Sequence, residues 1–320
     1  MKLRDIEFYS VLGASGVQGF FDEGYKNHRF FKALFGSRFS FEGMTFVAKT
    51  TTLNERKGNM PLGPDRITPI EIKPRCVFVN FRSWRKGAAL NSVGLAGPGA
   101  QFLLDTGRWQ ARTDSFFISF MSVEPTRAGR MEELKTFVAL LKHYLPGFRG
   151  KVGLQINFSC PNVGLHPEEL IAEIAEALDI ASVLGIPLVP KINMLVSPRL
   201  AAEITSHRFC DALCVSNTLP WGALPNEINW KDIFGTDESP LKDLGGGGLS
   251  GAPLFPLLIR WLEGARGDVS KPIIAGGGIM SKRDVKVLSY IKPAAISLGT
   301  IAMLRPWRLQ ETILEGNSLI

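Results

Sequence analysis

Short apolar runs recur along the chain, separated by longer stretches whose apolar positions repeat every three or four residues. The runs are "FYSVL" (8–12), "TFVAKT" (45–50), "FFISFMS" (116–122), "VGLQINFS" (152–159), "PLVPKIN" (187–193), "DALCVSN" (211–217), "PIIAGGG" (272–278) and "AAISLGT" (294–300). Each has the length and composition of a buried strand. The stretches between them read as amphipathic helices. Leu134, Phe137, Val138, Leu141 and Leu145 share one face of a helix near 131–145. Leu170, Ile174, Leu178, Ala181 and Leu184 share one over about 167–184, which opens on Pro167 with Glu168 and Glu169 in its first turn and stops at Gly185. Further helices are predicted around 198–207 and 253–265, and after each of the last two strands. Strands alternating with helices imply parallel pairing, and eight such units fit an α/β fold of the (β/α)8 TIM-barrel type; a doubly wound open sheet is the competing topology.

Two segments break the rhythm. Residues 54–115 are too long for one loop and one helix, and "RCVFVNF" (75–81) within them reads as an extra strand or hairpin. Residues 219–250 are also long and irregular. Insertions of this kind in a compact domain are often functional, and in a barrel both would lie at the C-terminal face. Nothing resembling a linker divides the rest, so 1–320 is expected to be one domain.

Composition excludes several classes. Charges interrupt "MKLRDIEFYSVLGASG", which is not a signal peptide, and no run approaches ~20 apolar residues, so no transmembrane segment is expected. The four cysteines and four histidines show no zinc spacing, which points to reduced thiols, a cytoplasmic setting and no metal site. The net charge of +7 is spread along the chain and favours anionic partners without naming one.

The ends of the predicted strands carry the chemistry. Alternation in "VGLQINFSC" puts Val152, Leu154, Ile156 and Phe158 on one side and Gln155 and Asn157 on the other, with Cys160 just beyond. For one buried asparagine, neighbouring backbone is the favoured partner over a ligand. The pattern recurs, however: "PLVPKIN" ends on Lys191 and Asn193, "DALCVSN" on Asn217, and "TFVAKT" contains Lys49. Burying an unpaired ammonium is prohibitive, so two lysines and several asparagines on one face imply an anionic ligand with carbonyl groups. Glycine turns at "IIAGGGI" (273–279) and "ISLGT" (296–300) present backbone amides after the last two strands, where barrels commonly hold phosphate. "GGGGLSG" (245–251) is expected to open the preceding helix beside them. The absence of an early G-x-G-x-x-G disfavours a dinucleotide fold.

In order along nearly the whole chain, "GASG" (13–16), "AKTTTLNERKGN" (48–59), "NSVGL" (91–95), "NFSCPN" (157–162), "PKIN" (190–193), "SNT" (216–218), "GGLSG" (247–251), "AGGGI" (275–279) and "GT" (299–300) resemble the dihydroorotate dehydrogenases, FMN-dependent barrels of pyrimidine biosynthesis. The resemblance implies that Asn91, Asn157, Asn162 and Asn217 surround the orotate ring and carboxylate, with Lys49, backbone at Gly94 and Leu95, and Thr218 beside Asn217. It implies FMN held by Gly251, Gly277, Gly278, Gly299 and Thr300 at the phosphate, and by Lys191, Ala14, Ser15, Gly16, Lys49, Thr50, Asn157 and Ser216 around the flavin. Cys160 stands at the position of the active-site base, and cysteine there marks the soluble, class 1 type. That implies proton removal from C5 of dihydroorotate while hydride leaves C6 for flavin N5.

The chain departs from the family pattern at Gly13, where asparagine is common, and at Val93, where a larger residue is frequent. The loop "PNVGLHPEEL" after Cys160 is shorter than in the fumarate-using type, and residues 60–90 have no counterpart that aligns. We expect that extra segment to cover the site mouth or lie in an interface. The electron acceptor is open between fumarate, NAD through an iron–sulfur flavoprotein partner, and another oxidant; a homodimer follows from the resemblance. The rival reading is a tRNA-dihydrouridine synthase, which has a cysteine acid in a similar setting. That family carries a helical RNA-binding domain after its barrel, and here the last predicted helix ends the chain, so no nucleic-acid partner is expected. A barrel that keeps FMN but has lost catalysis is a second rival, and a dihydropyrimidine dehydrogenase module a third.

Overall fold

The computed structural model describes residues 1–158 and 167–320. Val11–Gly13, Phe116–Phe120, Val152–Asn157, Leu188–Ile192, Leu213–Val215, Ile273–Gly276 and Ala295–Leu298 form one parallel sheet, with Val11–Gly13 and Phe116–Phe120 at its two edges. The remaining predicted run fills the gap between those edges. Leu12 bridges Thr45, Val47 bridges Phe117 and Thr51 bridges Phe120, all in parallel. Backbone hydrogen bonds join Thr45 N to Val11 O at 2.8 Å and Ala48 N to Phe117 O at 2.9 Å. The sheet therefore closes into a (β/α)8 barrel, and the open doubly wound alternative is excluded.

Strand alternation sorts the side chains into two layers. Phe116, Ile118 and Phe120 face the helices, where Phe120 stacks on Phe137 with centroids 3.9 Å apart. Leu12, Val47, Phe117, Val189, Cys214 and Ile274 fill the lower barrel, with Leu3, Ile6 and Phe8 of an N-terminal hairpin in the same cluster. Gly153 makes room for this filling, since a Cβ there would lie 2.4 Å from the Phe117 ring. Higher up, toward the C-terminal ends of the strands, the buried side chains become polar: Thr50, Ser119, Gln155, Asn157, Lys191 and Ser297. That change of polarity within one barrel positions the site.

The outer helices include Arg127–Tyr144, Pro167–Ala181, Pro198–Ser206, Phe255–Ala265, Lys282–Ile291 and Leu309–Leu319. The first begins four residues before the predicted start near 131 because Thr126 caps it, accepting from Gly129 N at 3.1 Å. The two insertions converge. Val77–Phe78 and Ala88–Asn91 from the first pair with Leu219–Pro220 and Gly248–Gly251 from the second, as a four-stranded antiparallel sheet. Of the extra strand or hairpin expected at 75–81, the structure has the strand, only two residues long, paired with Ala88–Asn91. "GGGGLSG" corrects the sequence reading: its second half is a strand, and the helix starts only at Phe255, after the turn Ala252–Leu254.

Candidate active site

Between the polar strand ends and the antiparallel sheet lies a cavity of about 910 Å³. The first two strand ends supply Ala14, Ser15, Gly16, Lys49 and Thr50; the middle strands supply Asn157, Lys191, Ser216, Asn217 and Thr218. The last two supply Gly277, Gly278, Gly299 and Thr300, and the insertions contribute Asn91, Gly94, Leu95 and Gly251. All the predicted site residues that are described line this one space. Cys160 and Asn162 lie outside the described residues. The segment without an aligned counterpart adds Met60, Pro69, Ile72, Pro74 and Val77 to the lining, which places it over the cavity.

Lys49 and Lys191 are both buried, and neither forms an ion pair with a described carboxylate. The Lys49 ammonium donates to the Ala96 carbonyl and sits 4.5 Å from the Phe20 ring centroid. Burial pulls its pKa down from 10.5 to about 8, and burial also pulls Lys191 down. Lys191 Nζ donates to Ser15 Oγ at 3.2 Å. Ser15 Oγ lies 3.0 Å from Thr50 Oγ1, which lies 2.9 Å from Ser119 Oγ. Asn217 Nδ2 donates to Asn157 Oδ1 at 2.7 Å, and Asn91 Nδ2 to Gly248 O at 3.3 Å. These pairings fix the amide orientations and leave further donors and acceptors for a planar polar ligand.

At the other end, the amides of Gly277, Gly278, Gly299 and Thr300 have no acceptor among the described residues. Gly277 and Gly278 take φ of 123° and 84°, which side chains rarely tolerate, and a Cβ on Gly278 would lie 2.5 Å from Phe255 N. Unused amides on a tight backbone are the donor set that a phosphate requires. Phosphate donors at one end, a lysine with hydroxyls in the middle and asparagines with a second lysine beside them fit FMN together with a small anionic ring compound.

Sequence reasoning missed several contributors. Ser119 in "FFISF" reads as an ordinary strand residue until the barrel turns it inward. Tyr25 O–H donates to Gly16 O at 2.5 Å, and burial raises its phenol pKa. Asn59 Nδ2 donates to Ser92 O at 2.8 Å and so braces the loop in which Leu95 holds φ of 58°. Asn193 works the other way: it faced the ligand in the sequence reading but accepts from Leu195 N at 3.0 Å and shapes a turn.

Fold and cavity thus define an α/β barrel whose C-terminal face carries donors suited to a phosphorylated cofactor and an anionic substrate. Comparison with known proteins gives the family. Residues 3–303 match the family model described as dihydroorotate dehydrogenase. The catalytic subunit of dihydroorotate dehydrogenase B (NAD(+)) from Anoxybacillus flavithermus is 30% identical over 240 residues, 72% of this chain and 70% of that one. The corresponding subunit from Desulforudis audaxviator is 28% identical over 306 residues, 92% of this chain and 83% of its own. A crystal structure of the Eimeria tenella enzyme in complex with ferulenol superposes with a TM-score of 0.65 at 17% identity, covering 98% of this chain and 82% of that one, and shares the fold. The chain belongs to the dihydroorotate dehydrogenase family, whose members are oxidoreductases of pyrimidine biosynthesis. No helix among the described residues is long and apolar enough to cross a membrane.

Proposed function

We propose that this protein oxidises dihydroorotate to orotate with FMN as its cofactor. The observation that carries the reading is the single cavity, in which two buried lysines, paired asparagines and acceptor-free glycine amides meet. FMN, when bound, supplies a flavin N5 that accepts the hydride leaving C6 of the substrate. The chain's own residues do the rest. Gly277, Gly278, Gly299 and Thr300 donate to the phosphate, and Gly251 lets the backbone pass beside them. Lys191 directs its charge at the flavin, beside Ser15 and Thr50. Asn91, Asn157, Asn162 and Asn217 hold the ring, while Lys49 neutralises the carboxylate. Cys160 takes the C5 proton, and must do so as a thiolate.

The names of the B-type relatives support a further step. By those names electrons would leave through a partner subunit to NAD; that the partner is an iron–sulfur flavoprotein and the catalytic subunit a cytoplasmic homodimer is what the sequence resemblance implies. The test is an anaerobic titration of the FMN-loaded protein with dihydroorotate, followed by visible absorbance. Wild-type protein should bleach rapidly, and Cys160→Ala at least ~100-fold more slowly, in keeping with the usual worth of a general base. A flavin that stays oxidised would overturn the substrate assignment, and co-purification without any partner subunit would overturn the second step.

A further inference from the structure

The hydroxyl chain running from Lys191 ends on a residue that does not line the cavity. Ser119 is completely buried, and it reaches Lys191 only through Thr50 and Ser15. An ammonium can only donate, so Ser15 Oγ must accept from Lys191. Its own hydrogen is then free for Thr50 Oγ1, and that of Thr50 for Ser119 Oγ. With both hydrogens so donated, the three hydroxyl dipoles line up with their oxygens toward the lysine. Gln155 pairs in register with Ser119 on the neighbouring strand, and its buried Oε1 has no hydrogen-bond partner among the described residues. Cys214, also buried, is the titratable group that interacts with Lys191, and burial pushes its thiol pKa up.

We propose that Ser119 is a positioning residue: through Thr50 and Ser15 it orients the hydroxyl chain that holds Lys191 as an ammonium directed into the cavity. Its consequence for the cofactor rests on the FMN reading, since a fixed cation beside the flavin favours the anionic reduced form. The hydrogen bonding itself does not depend on that reading. Buried chains of this kind polarise cooperatively, so removing the far end weakens the near one.

Trace acetylation of the flavin-free protein at constant pH, read lysine by lysine by mass spectrometry, reports the fraction of each amine that is neutral. Ser119→Ala and Thr50→Val should each make Lys191 react about 3-fold faster, the size expected for losing part of one charge-assisted hydrogen bond. Thr50→Ser keeps the hydroxyl and should react at the wild-type rate. Lys49, which donates to Ala96 outside the chain, should not change in any variant. In the FMN-loaded protein, Ser119→Ala and Thr50→Val should lower the flavin midpoint potential, and Thr50→Ser should restore it. Unchanged Lys191 labelling, or an equal rise at Lys49, would overturn the proposal. If Ser119→Ala does not fold, the Thr50→Val and Thr50→Ser pair decides alone. The expected labelling without flavin uptake would leave the hydroxyl chain standing and sink the cofactor reading. Normal flavin binding with neither labelling nor potential moved would sink the chain alone.

Discussion

Lys49 keeps a charge in an apolar wall, where desolvation holds its pKa near 8 against 10.5 in an unfolded chain. Between those values the unfolded state binds more protons, so the stability of the ligand-free protein should rise as pH climbs from about 8 to about 10.5. Below that window the penalty is fully present. Lys49→Met should therefore stabilise the ligand-free protein at neutral pH, by on the order of 3 kcal/mol, and flatten this rise. Urea melts at several pH values measure both effects; an unchanged slope in the variant would show that another group titrates. Orotate should reverse the balance by restoring the ammonium. Binding near pH 9 should then take up a proton, seen by calorimetry in two buffers of different ionisation heat. The same variant should bind orotate roughly 10- to 100-fold more weakly, the usual worth of a hydrogen bond to a charged group. At this scale the sequence is readable where a residue type is costly in its place. A lysine in a strand demands an explanation, whereas Ser119 among phenylalanines does not, and Asn193 has the right chemistry but spends it on Leu195 N.

Elements were legible wherever period and punctuation agreed. The parallel strands are apolar on both faces or alternate cleanly, and Pro167 and Gly185 mark helix ends by their backbone requirements. Residues 45–51 were readable as a strand only by composition, for their pairing consists of isolated bridges. The antiparallel sheet was not legible, because strands as short as Val77–Phe78 and Leu219–Pro220 have no period of their own, and the pairing that joins them into one sheet, Gly248–Gly251 with Ala88–Asn91, links residues more than a hundred positions apart. Glycines at these junctions separate the needs of fold and site. Gly251 has φ of 101°, and a Cβ there would lie 2.0 Å from Gly87 O. Gly251→Ala should displace the strand from the cavity and lower FMN affinity at least ~10-fold, with a smaller effect on the melting temperature. Gly153→Ala, which collides with Phe117 inside the barrel, should do the opposite. It should destabilise by about 1–3 kcal/mol while changing FMN affinity little in the molecules that remain folded. Isothermal titration with FMN beside thermal melts separates the two.

On the scale of the whole molecule, the barrel supplies a rigid polar floor and the two insertions supply a roof that neither could build alone. Gly248–Gly251 pairs with Ala88–Asn91, the Asn80 amide donates to Phe234 O at 2.7 Å, and Lys86 pairs with Asp232. The Lys86–Asp232 pair is exposed and adds little. Asn80 is the stronger tie, because it also caps the helix Phe81–Arg85, accepting from Ser83 N at 2.8 Å while Ser83 Oγ accepts from Asn80 N at 3.0 Å. Its loss removes a cap and a cross-link together. Asn80→Ala should therefore cost about 1–2 kcal/mol locally. The floor, held by its own strand pairing, should keep its stability. Hydrogen exchange should then quicken roughly 5- to 30-fold in 77–91 and 219–251 and stay unchanged in 116–120 and 188–192. Because Asn91, Leu95 and Gly251 hang from the roof while the lysines stand on the floor, the variant should release substrate and cofactor faster without altering the titration of Lys191. Uniform acceleration across floor and roof would mean that the two unfold as one unit, and that the insertions stabilise the barrel as well as cover it.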